Sequence, residues 1–380
     1  MHVLISPNAF KNSLNAEAAA HAIEKGLKES SLSCTTACFP IGDGGDGTGS
    51  LLTKLLDGTF IEETVHDPLG RMIKADFGLI DDGQAAVIEM ASASGLRLLK
   101  LDEYDPLHAS SYGTGELMKK ALDKGSTKII LCVGGSATVD GGCGILQALG
   151  IRFLDGDANE LNNMPETLVD IAFIDIAGLD KRMTECECII LCDVANTLLG
   201  DKGAAKIFGP QKGASEKDVE QLEASLAQFN KIVLEQFGID MSQLKHGGAA
   251  GGTVAGLHAL LKAKPVNGID HFLDITGFDK ALGNADLLIT GEGSIDLQTL
   301  EGKAPYGVAV RAKKKSLPVI ALAGNIPPQP LPGLNKWFDR LLNINQKNTD
   351  IATAIAATAA NLTMTARKLG DELASQKQDH

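Results

Sequence analysis

The sequence predicts an α/β fold with a Rossmann-like parallel-sheet domain built from both chain ends and an inserted α+β domain. Strand-like and helix-like segments alternate at both ends of the chain, as a parallel sheet requires. Between them, from about Thr59, apolar and polar residues alternate with a period of two, which is typical of half-buried antiparallel strands. We therefore predict a Rossmann-like domain from residues 1–60 and 286–380, an insertion over 61–285, and an active-site cleft between them.

The N-terminal segments predict a β-α-β-α unit. "HVLIS" is typical of a buried strand, and "AEAAAHAIEKGLKES" predicts an Ala-rich helix with Asn15 as its N-cap. "TTACFPI" predicts a second strand and "TGSLLTKLL" a second helix. This order is the one that a parallel sheet with crossover helices produces.

The later segments predict antiparallel strands first and parallel strands again afterwards. "TFIEETVH", "RMIKADFGLI" and "QAAVIEMA" alternate in polarity, and the turn "DDG" separates the last two. "GELMKKALDKG" and "TKIILCVGG" return to helix and strand, as do "CIILCDV" and the long helix from Glu216. The C-terminal part reads as strand, helix and strand in "ADLLITGEG", "APYGVAVRAKKK" and "LPVIALAG", with a last helix from Ile351.

Composition narrows the class of protein. The 380 residues are 44% hydrophobic and 22% charged, and no apolar run approaches the roughly 20 residues that span a bilayer. A net charge of −13 argues against nucleic acid as a partner. The N-terminal apolar run before Lys11 is too short for a secretion signal, so we expect a cytoplasmic protein that acts on small molecules. The seven cysteines include no C-x-x-C pair, so we expect reduced, buried thiols rather than a metal cluster or disulfides.

Three apolar strands end in small or acidic residues. They are "IILCVGGSATVDGG", "IILCDVANTLLG" and "LLITGEGSID". Ligands of open α/β sheets bind beyond the carboxyl ends of the strands, and glycine amides can hold phosphate oxygens there. We therefore expect phosphate contacts at Gly134, Gly135 and Ser136 and at Gly291 and Gly293, with tight packing of these glycines as the alternative.

The stretch "IGDGGDGT", residues 41–48, formally matches G-x-G-x-x-G through Gly42, Gly44 and Gly47. Asp43 and Asp46 would repel a pyrophosphate, so a dinucleotide site is disfavoured. Two carboxylates on a glycine turn suit a hard cation or sugar-like hydroxyls. They also suit simple capping of the local amides, and both alternatives stay open.

Several blocks, taken together, resemble the signature blocks of the bacterial type I glycerate kinase (glycerate 2-kinase) family. In chain order they are "SPNAFKNSL", "IGDGGDGT", "VIEMASASGL", "SYGTGEL", "GGSATVDGGCGILQALG", "CDVANTLLG", "GAAKIFGPQKGA", "GGAAGG" and "DLLITGEGSIDLQTLEGKAP". The resemblance runs from about residue 6 to residue 324. It implies ATP-dependent phosphorylation of D-glycerate to 2-phosphoglycerate with Mg²⁺, in a two-domain α/β protein.

The chain departs from the family pattern at four positions. The family usually reads S-P-D-S-F-K, and in this chain Asn8 and Ala9 replace the Asp and the second Ser of that motif. Val139 replaces a common Asn, and Ala195 replaces a frequent Asp. Four acidic residues of the blocks persist: Asp140, Asp193, Glu292 and Asp296. We expect an active enzyme whose substrate contacts near Asn8 differ from those of the family.

The chemistry of phosphoryl transfer suggests a role for each residue of these blocks. Lys11 is predicted to bind the γ-phosphate or the glycerate carboxylate, and Asp193 to act as the base or as a Mg²⁺ ligand. The residues assigned to substrate binding are Ser6, Asn8, Asp43, Asp46 and Asp296. Those assigned to nucleotide binding are Gly134, Gly135, Ser136, Gly291, Glu292 and Gly293. Asp193 and Asp43 are assigned to metal binding. Lys212 and Lys303 are further phosphate candidates.

Two alternatives come from other classes of protein. The loss of the usual residues at Asn8 and Ala9 allows a catalytically silent glycerate-binding sensor. The G-x-G-x-x-G match allows an NAD(P)-linked oxidoreductase.

Overall fold

The computed structural model of the chain describes residues 1–162, 164–327, 333–346 and 349–378. Its strands, in chain order, are β1 (His2–Pro7), β2 (Thr35–Cys38), β3 (Thr59–His66), β4 (Met72–Ile80), β5 (Ala85–Glu89), β6 (Lys128–Cys132), β7 (Arg152–Leu154), β8 (Phe173–Asp175), β9 (Glu187–Cys192), β10 (Lys264–Asn267), β11 (Leu287–Ser294), β12 (Val319–Asn325) and β13 (Arg340–Asn343).

The helices lie mostly between these strands. In chain order they are α1 (Ala16–Lys28), α2 (Thr48–Leu55), α3 (Met90–Ser94), α4 (Tyr112–Asp123), α5 (Cys143–Ala148), α6 (Ala204–Phe208), α7 (Glu216–Phe237), α8 (Thr253–Leu261), α9 (Gly268–Ile275), α10 (Phe278–Leu282), α11 (Ala304–Lys314), α12 (Ile351–Ala356) and α13 (Thr358–Gln378). In the described ranges, none of these helices is both long and apolar enough to cross a membrane.

The chain folds as two compact units. The first comprises residues 1–43 and 269–380, and the second comprises residues 44–268. The sequence predicts junctions after residue 60 and before residue 286, whereas the structure has them at 43–44 and 268–269. The helix α2 therefore belongs to the second unit, where a Cβ on Gly49 would lie 2.6 Å from Cγ of Glu89 at the end of β5.

The first unit contains a five-stranded parallel sheet with the strand order β13-β12-β11-β1-β2. Val3, Leu4 and Ile5 are completely buried, as a strand covered on both faces requires. The helix α1 begins as predicted, because the Asn15 side chain accepts a hydrogen bond from the Ala18 amide at 2.8 Å. The last helix, α13, packs on α1, and the Thr363 hydroxyl donates to the carbonyl of Ala22. The Rossmann-like α/β prediction is confirmed.

The second unit contains a six-stranded mixed sheet with the order β10-β9-β6-β5-β4-β3. The predicted antiparallel pairing is present between β3 and β4 and between β4 and β5. The strands β5, β6, β9 and β10 are parallel to one another, so the sheet is more parallel than the period-two pattern alone indicates. A small antiparallel pair, β7 and β8, lies outside this sheet. The core is continuous and includes Ile88, Leu131, Phe153 and Phe229.

Candidate active-site residues in the two units

In the first unit, polar residues gather where the strand order of the sheet reverses. The strands β1 and β11 are neighbours, β2 extends the sheet beyond β1, and β12 and β13 extend it beyond β11. Such a reversal separates the connections on either side of it and leaves a crevice at the carboxyl ends of the two central strands. Asn8 follows β1 and Glu292 lies in β11, so the topology brings both side chains to this edge.

Glu292 is the buried acid of this edge, with 8% of its surface exposed. Burial, with a smaller contribution from the Asp43 carboxylate, raises the pKa of its carboxyl group to about 8. Lys303 and Lys11 act in the opposite direction, as does a hydrogen bond from the Thr299 hydroxyl at 3.3 Å. A carboxyl group with a pKa near neutrality can take up and release a proton at physiological pH.

Asn8 and Asp43 are directly bonded. The Asn8 amide nitrogen Nδ2 donates to Oδ2 of Asp43 at 2.9 Å, and its Oδ1 accepts from the Ala9 amide at 2.8 Å. The Asn8 backbone amide donates to the Gly291 carbonyl at 2.8 Å, which fixes the loop against β11. Asp43 is 7% exposed. The hydroxyl of the completely buried Ser6 has no hydrogen-bond partner among the described residues.

The other predicted residues of the first unit differ in their surroundings. Lys11 is exposed. Asp296 caps the 3-10 turn Leu297–Glu301, with its carboxylate accepting from the Gln298 amide at 2.9 Å. A Cβ on Gly291 would lie 2.3 Å from the Leu322 carbonyl oxygen, so the close approach of β12 explains this glycine. At Gly293 the nearest atom is the Lys11 amide nitrogen at 3.7 Å, which leaves ordinary space.

In the second unit, the loop that starts at Gly44 interlocks with the loop after β6. The Gly134 amide donates to the Gly44 carbonyl at 2.9 Å, and a Cβ on Gly134 would lie 2.4 Å from Cα of Gly45. The Gly135 carbonyl accepts from Leu96, and the Ala137 amide donates to Ser94. Tight packing, the alternative considered for these glycines, therefore accounts for Gly134.

Glu89 ends β5, and its side-chain carboxylate contacts the N-terminus of α2. Its carboxylate accepts from the Ser50 amide at 3.0 Å and from the Gly47 amide. Burial raises the pKa of Glu89, and the nearby Asp46 carboxylate adds to the shift. The first-turn amides of a dinucleotide site bind pyrophosphate, but here they already hold a carboxylate. This arrangement argues against the G-x-G-x-x-G interpretation.

Asp46 is exposed, and its Oδ1 lies 3.4 Å from a guanidinium nitrogen of Arg97. Asp46 belongs to the second unit and Asp43 to the first, although only two residues separate them in the sequence.

Lys212 lies inside the second unit rather than on its surface. Its ammonium group donates to the Ser136 hydroxyl at 2.9 Å and to the Thr138 carbonyl at 2.7 Å, and only 3% of the residue is exposed. Burial lowers the pKa of Lys212 to about 7, and Asp140 partly opposes this shift. Lys212 therefore supports the loop that contains the predicted phosphate-binding residues.

Asp140 and Asp193 follow neighbouring strands of the second sheet. Asp140 is completely buried and accepts hydrogen bonds from the Ser111 hydroxyl at 2.6 Å and from the amides of Ser111, Gly142 and Gly144. It joins the segment before α4 to the N-terminal end of α5. Asp193 follows β9 directly and is half-buried. The Asp193 charge also contributes to the raised pKa of Cys192.

Sequence reasoning assigned no role to Glu89 or Arg97. Glu89 ends the apolar run "AAVIE", which is the same signal that singled out the ends of β6, β9 and β11. Glu89 could therefore have been identified from the sequence as a candidate residue. Arg97 lies in a segment without strand or helix periodicity, and only the fold brings it to Asp46.

Comparisons with known proteins identify the family of the chain. A model of the "Glycerate kinase family" matches residues 3–374. The chain is 40% identical to a glycerate kinase of Bacillus subtilis (strain 168) over 369 residues, which cover 97% of each chain. It is 42% identical to a glycerate 2-kinase of Escherichia coli (strain K12) over 326 residues, 86% of each chain.

A solved structure shares the fold. A crystal structure from Salmonella typhimurium LT2 assigned to glycerate kinase 2 matches with a TM-score of 0.83 and 39% identity, covering 100% of this chain and 99% of the other. The family match over nearly the whole sequence and these near full-length relatives lead to one conclusion: the chain belongs to the glycerate kinase family.

Proposed function

We propose that the protein transfers the γ-phosphoryl group of ATP to D-glycerate in the presence of Mg²⁺ and releases 2-phosphoglycerate. Family membership supports the reaction class, and the relative from Escherichia coli is named a glycerate 2-kinase. The observation that carries the proposal is the buried Glu292, which has Asp43, Lys11 and Lys303 around it where the strand order of the first sheet reverses.

Glu292 is our proposed general base. Phosphoryl transfer requires that the attacking hydroxyl lose its proton, and a carboxyl with a pKa of about 8 can accept that proton near neutral pH. Burial keeps the group partly protonated before the reaction, and the two lysines favour its ionised form. Glu292 thus takes the role that the sequence alone suggested for Asp193.

Lys11 and Lys303 are the proposed partners of the substrate's negative charges. Lys11 is exposed, and its charge is close enough to Glu292 to lower the pKa of that carboxyl. Lys303 lies immediately before α11, an eleven-residue helix whose N-terminus favours anions. We propose that Lys11 binds the γ-phosphate or the glycerate carboxylate.

The proposed substrate contacts also include Ser6, Asn8, Asp43, Asp46 and Asp296. Asn8 holds Asp43 through Nδ2, and the buried Ser6 hydroxyl still has its donor to offer. Asp296 already caps a turn, and a carboxylate has further acceptor positions for a substrate hydroxyl.

Asp193 and Asp43 are our proposed Mg²⁺ ligands. Both offer carboxylate oxygens, the donor type that Mg²⁺ prefers. The cation supplies neutralisation of the phosphate charge. The glycine loop at Gly134, Gly135 and Ser136, together with Gly291, Glu292 and Gly293, is proposed to contact the nucleotide.

The test is an ADP-release assay with ATP, Mg²⁺ and D-glycerate, run beside L-glycerate and glycerol. We expect turnover that depends on D-glycerate, and a phosphorus–proton coupling in the product that identifies the 2-position. Binding of D-glycerate without ADP release would indicate the silent sensor instead. A coupling pattern of 3-phosphoglycerate would refute the proposed position while keeping the kinase.

A further inference from the structure

Three side chains of different chemistry meet where α1 packs over β2 in the first unit. His21 and Glu24 lie three residues apart on α1 and therefore share one helix face, and Cys38 is the last residue of β2. A ring nitrogen of His21, a carboxylate oxygen of Glu24 and the sulfur of Cys38 all lie within 4.8 Å of one another. The cysteine spacing in the sequence gives no sign of this cluster, because its members come from two elements.

We propose that His21, Glu24 and Cys38 form a binding site for a borderline-soft divalent cation of the Zn²⁺ type. Imidazole nitrogen, carboxylate oxygen and thiolate sulfur are the three ligands that Zn²⁺ combines, and water completes an open tetrahedral site. Mg²⁺ prefers oxygen ligands and is not suited to this set. The proposed site is thus independent of the reaction proposed above.

The surrounding hydrogen bonds orient the carboxylate for this role. The Thr36 hydroxyl and the Lys28 ammonium group both lie 2.8 Å from Oε1 of Glu24. The other oxygen, Oε2, faces Nδ1 of His21 at 3.8 Å. Thr36 lies two residues before Cys38, so the two side chains share one face of β2. An outer hydrogen bond of this kind fixes the direction of a ligating carboxylate.

Cation binding needs only small changes. Ligands of a tetrahedral Zn²⁺ lie about 3.5 Å apart. The three atoms are at most 4.8 Å apart, and the His21–Glu24 pair is already at 3.8 Å, so only a small contraction is needed. The His21 side chain is 72% exposed and can rotate, and Lys28 is 62% exposed and can move its charge away. Burial raises the pKa of Cys38 to about 11, with Glu24 adding to the shift, so coordination must release the thiol proton.

A bound cation would join α1 to β2. A ligand that binds only the folded chain stabilises it in proportion to the logarithm of its concentration over the dissociation constant. We therefore expect Zn²⁺ to raise the melting temperature of the full chain.

The experiment titrates Co²⁺ into the full-length protein after chelator treatment, with a phosphine reductant keeping the thiols reduced. We expect a thiolate-to-cobalt charge-transfer band that saturates at one equivalent and disappears when Zn²⁺ is added. Cys38→Ser should lose the band, and His21→Ala should weaken Co²⁺ binding at least tenfold. Cys34→Ser is the matched control, because Cys34 is the other half-buried cysteine of the first unit.

Three results would overturn the proposal: no band in the wild type, a band that persists in Cys38→Ser, or a band that is lost in Cys34→Ser. His21 is exposed, so His21→Ala is expected to fold normally and decides the question if Cys38→Ser is unstable. Unchanged Co²⁺ affinity in a folded His21→Ala variant would likewise refute the site.

Discussion

The two units place their polar groups in different ways. In the first unit, charged side chains gather beside a buried acid at a reversal of strand order. In the second, the strand order β10-β9-β6-β5-β4-β3 shows no such reversal, and the glycine loops use backbone groups to bind one another. We therefore expect substitutions of the charged residues in the first unit to affect proton transfer. Substitutions that disturb the glycine loops in the second unit should instead change the position of those loops. Each prediction below tests one side of this comparison.

The largest effect is expected at Glu292. Glu292→Gln keeps the shape of the side chain but removes the group that takes the proton, so turnover should fall by a factor of about 10² to 10⁴. Wild-type activity should rise with pH through about 8, the pKa of this carboxyl, and the variant should lack that rise. A pH–rate profile of both proteins measures the effect.

The same substitution should change stability in the opposite direction. The folded chain keeps the Glu292 proton up to about pH 8, whereas the ordinary pKa of 4.5 makes the unfolded chain release it far earlier. The contribution of Glu292 to the free energy of unfolding therefore falls as pH rises between these values. Glu292→Gln should be the more stable protein at pH 7.5, by denaturant titration. A variant that is active and no more stable would refute both roles.

Asp43→Asn and Asp46→Asn compare two neighbouring carboxylates that belong to different units. Asp43 is buried and bonded to Asn8, so its loss should lower activity about 100-fold with little change in stability. Asp46 is exposed and paired with Arg97, so we expect its proposed substrate contact to be weak and Asp46→Asn to lower activity less than tenfold. Steady-state kinetics and melting temperatures of both variants measure these effects. If Asp43→Asn keeps full activity but melts earlier, Asp43 is only a turn cap.

Lys212→Met tests the support of the glycine loop in the second unit. The loss of two buried hydrogen bonds should cost about 1–3 kcal/mol in the free energy of unfolding, and at pH 7 part of this cost is offset because the variant no longer buries a charge. The folded chain releases the Lys212 proton near pH 7, while the unfolded chain holds it to about pH 10.5, so wild-type stability should gain from this group as pH rises between these values.

The variant should lack that pH-dependent gain, which denaturant titrations at pH 7 and pH 9 can measure. Lys206→Met is the control, because Lys206 is an exposed lysine of the same unit that pairs with Asp201. If Lys212→Met and Lys206→Met change the free energy of unfolding equally, the burial of Lys212 does not contribute to stability.

The smallest effects are expected at two helix caps. Asn15 caps α1 in the first unit, and Ser215 caps α7 in the second. Replacing either residue by Ala should cost about 1 kcal/mol. Trp337 is the single tryptophan of the chain and belongs to the first unit, so its fluorescence reports unfolding there. Asn15→Ala should shift the fluorescence midpoint more than Ser215→Ala does. Equal shifts would mean that both units unfold in one step.

Much of the fold could be predicted because the relevant signals are local. The Asn15 cap, the alternation before β5 and the apolar run of β11 each depend on a few consecutive residues. The unit boundaries could not be read in this way. The helix α2 has a predictable period, but its assignment to the second unit depends on the close approach of Gly49 to Glu89, which is a contact across forty residues of sequence.

The site was only partly predictable for a similar reason. A carboxylate at the end of an apolar strand is visible in the sequence, and this rule indicated Asp193 and Glu292. The sequence does not show how deeply each one is buried, and burial is what separates the half-exposed Asp193 from Glu292 with its raised pKa. The same limit applies to Lys212, whose motif suggested a phosphate ligand and whose ammonium group is enclosed by protein.

The helix α13 packs on α1, although these helices stand at opposite ends of the chain. The core of the first unit therefore combines Val3, Ile5 and Ile23 with Leu287, Leu362 and Leu369. During synthesis the N-terminal strands and helix leave the ribosome long before their packing partners exist. The continuous second unit is complete by residue 268, so we expect it to fold first, since domains fold as units while the chain emerges. We expect the apolar side chains of residues 1–43 to stay without their core partners until the chain has been made as far as Leu369.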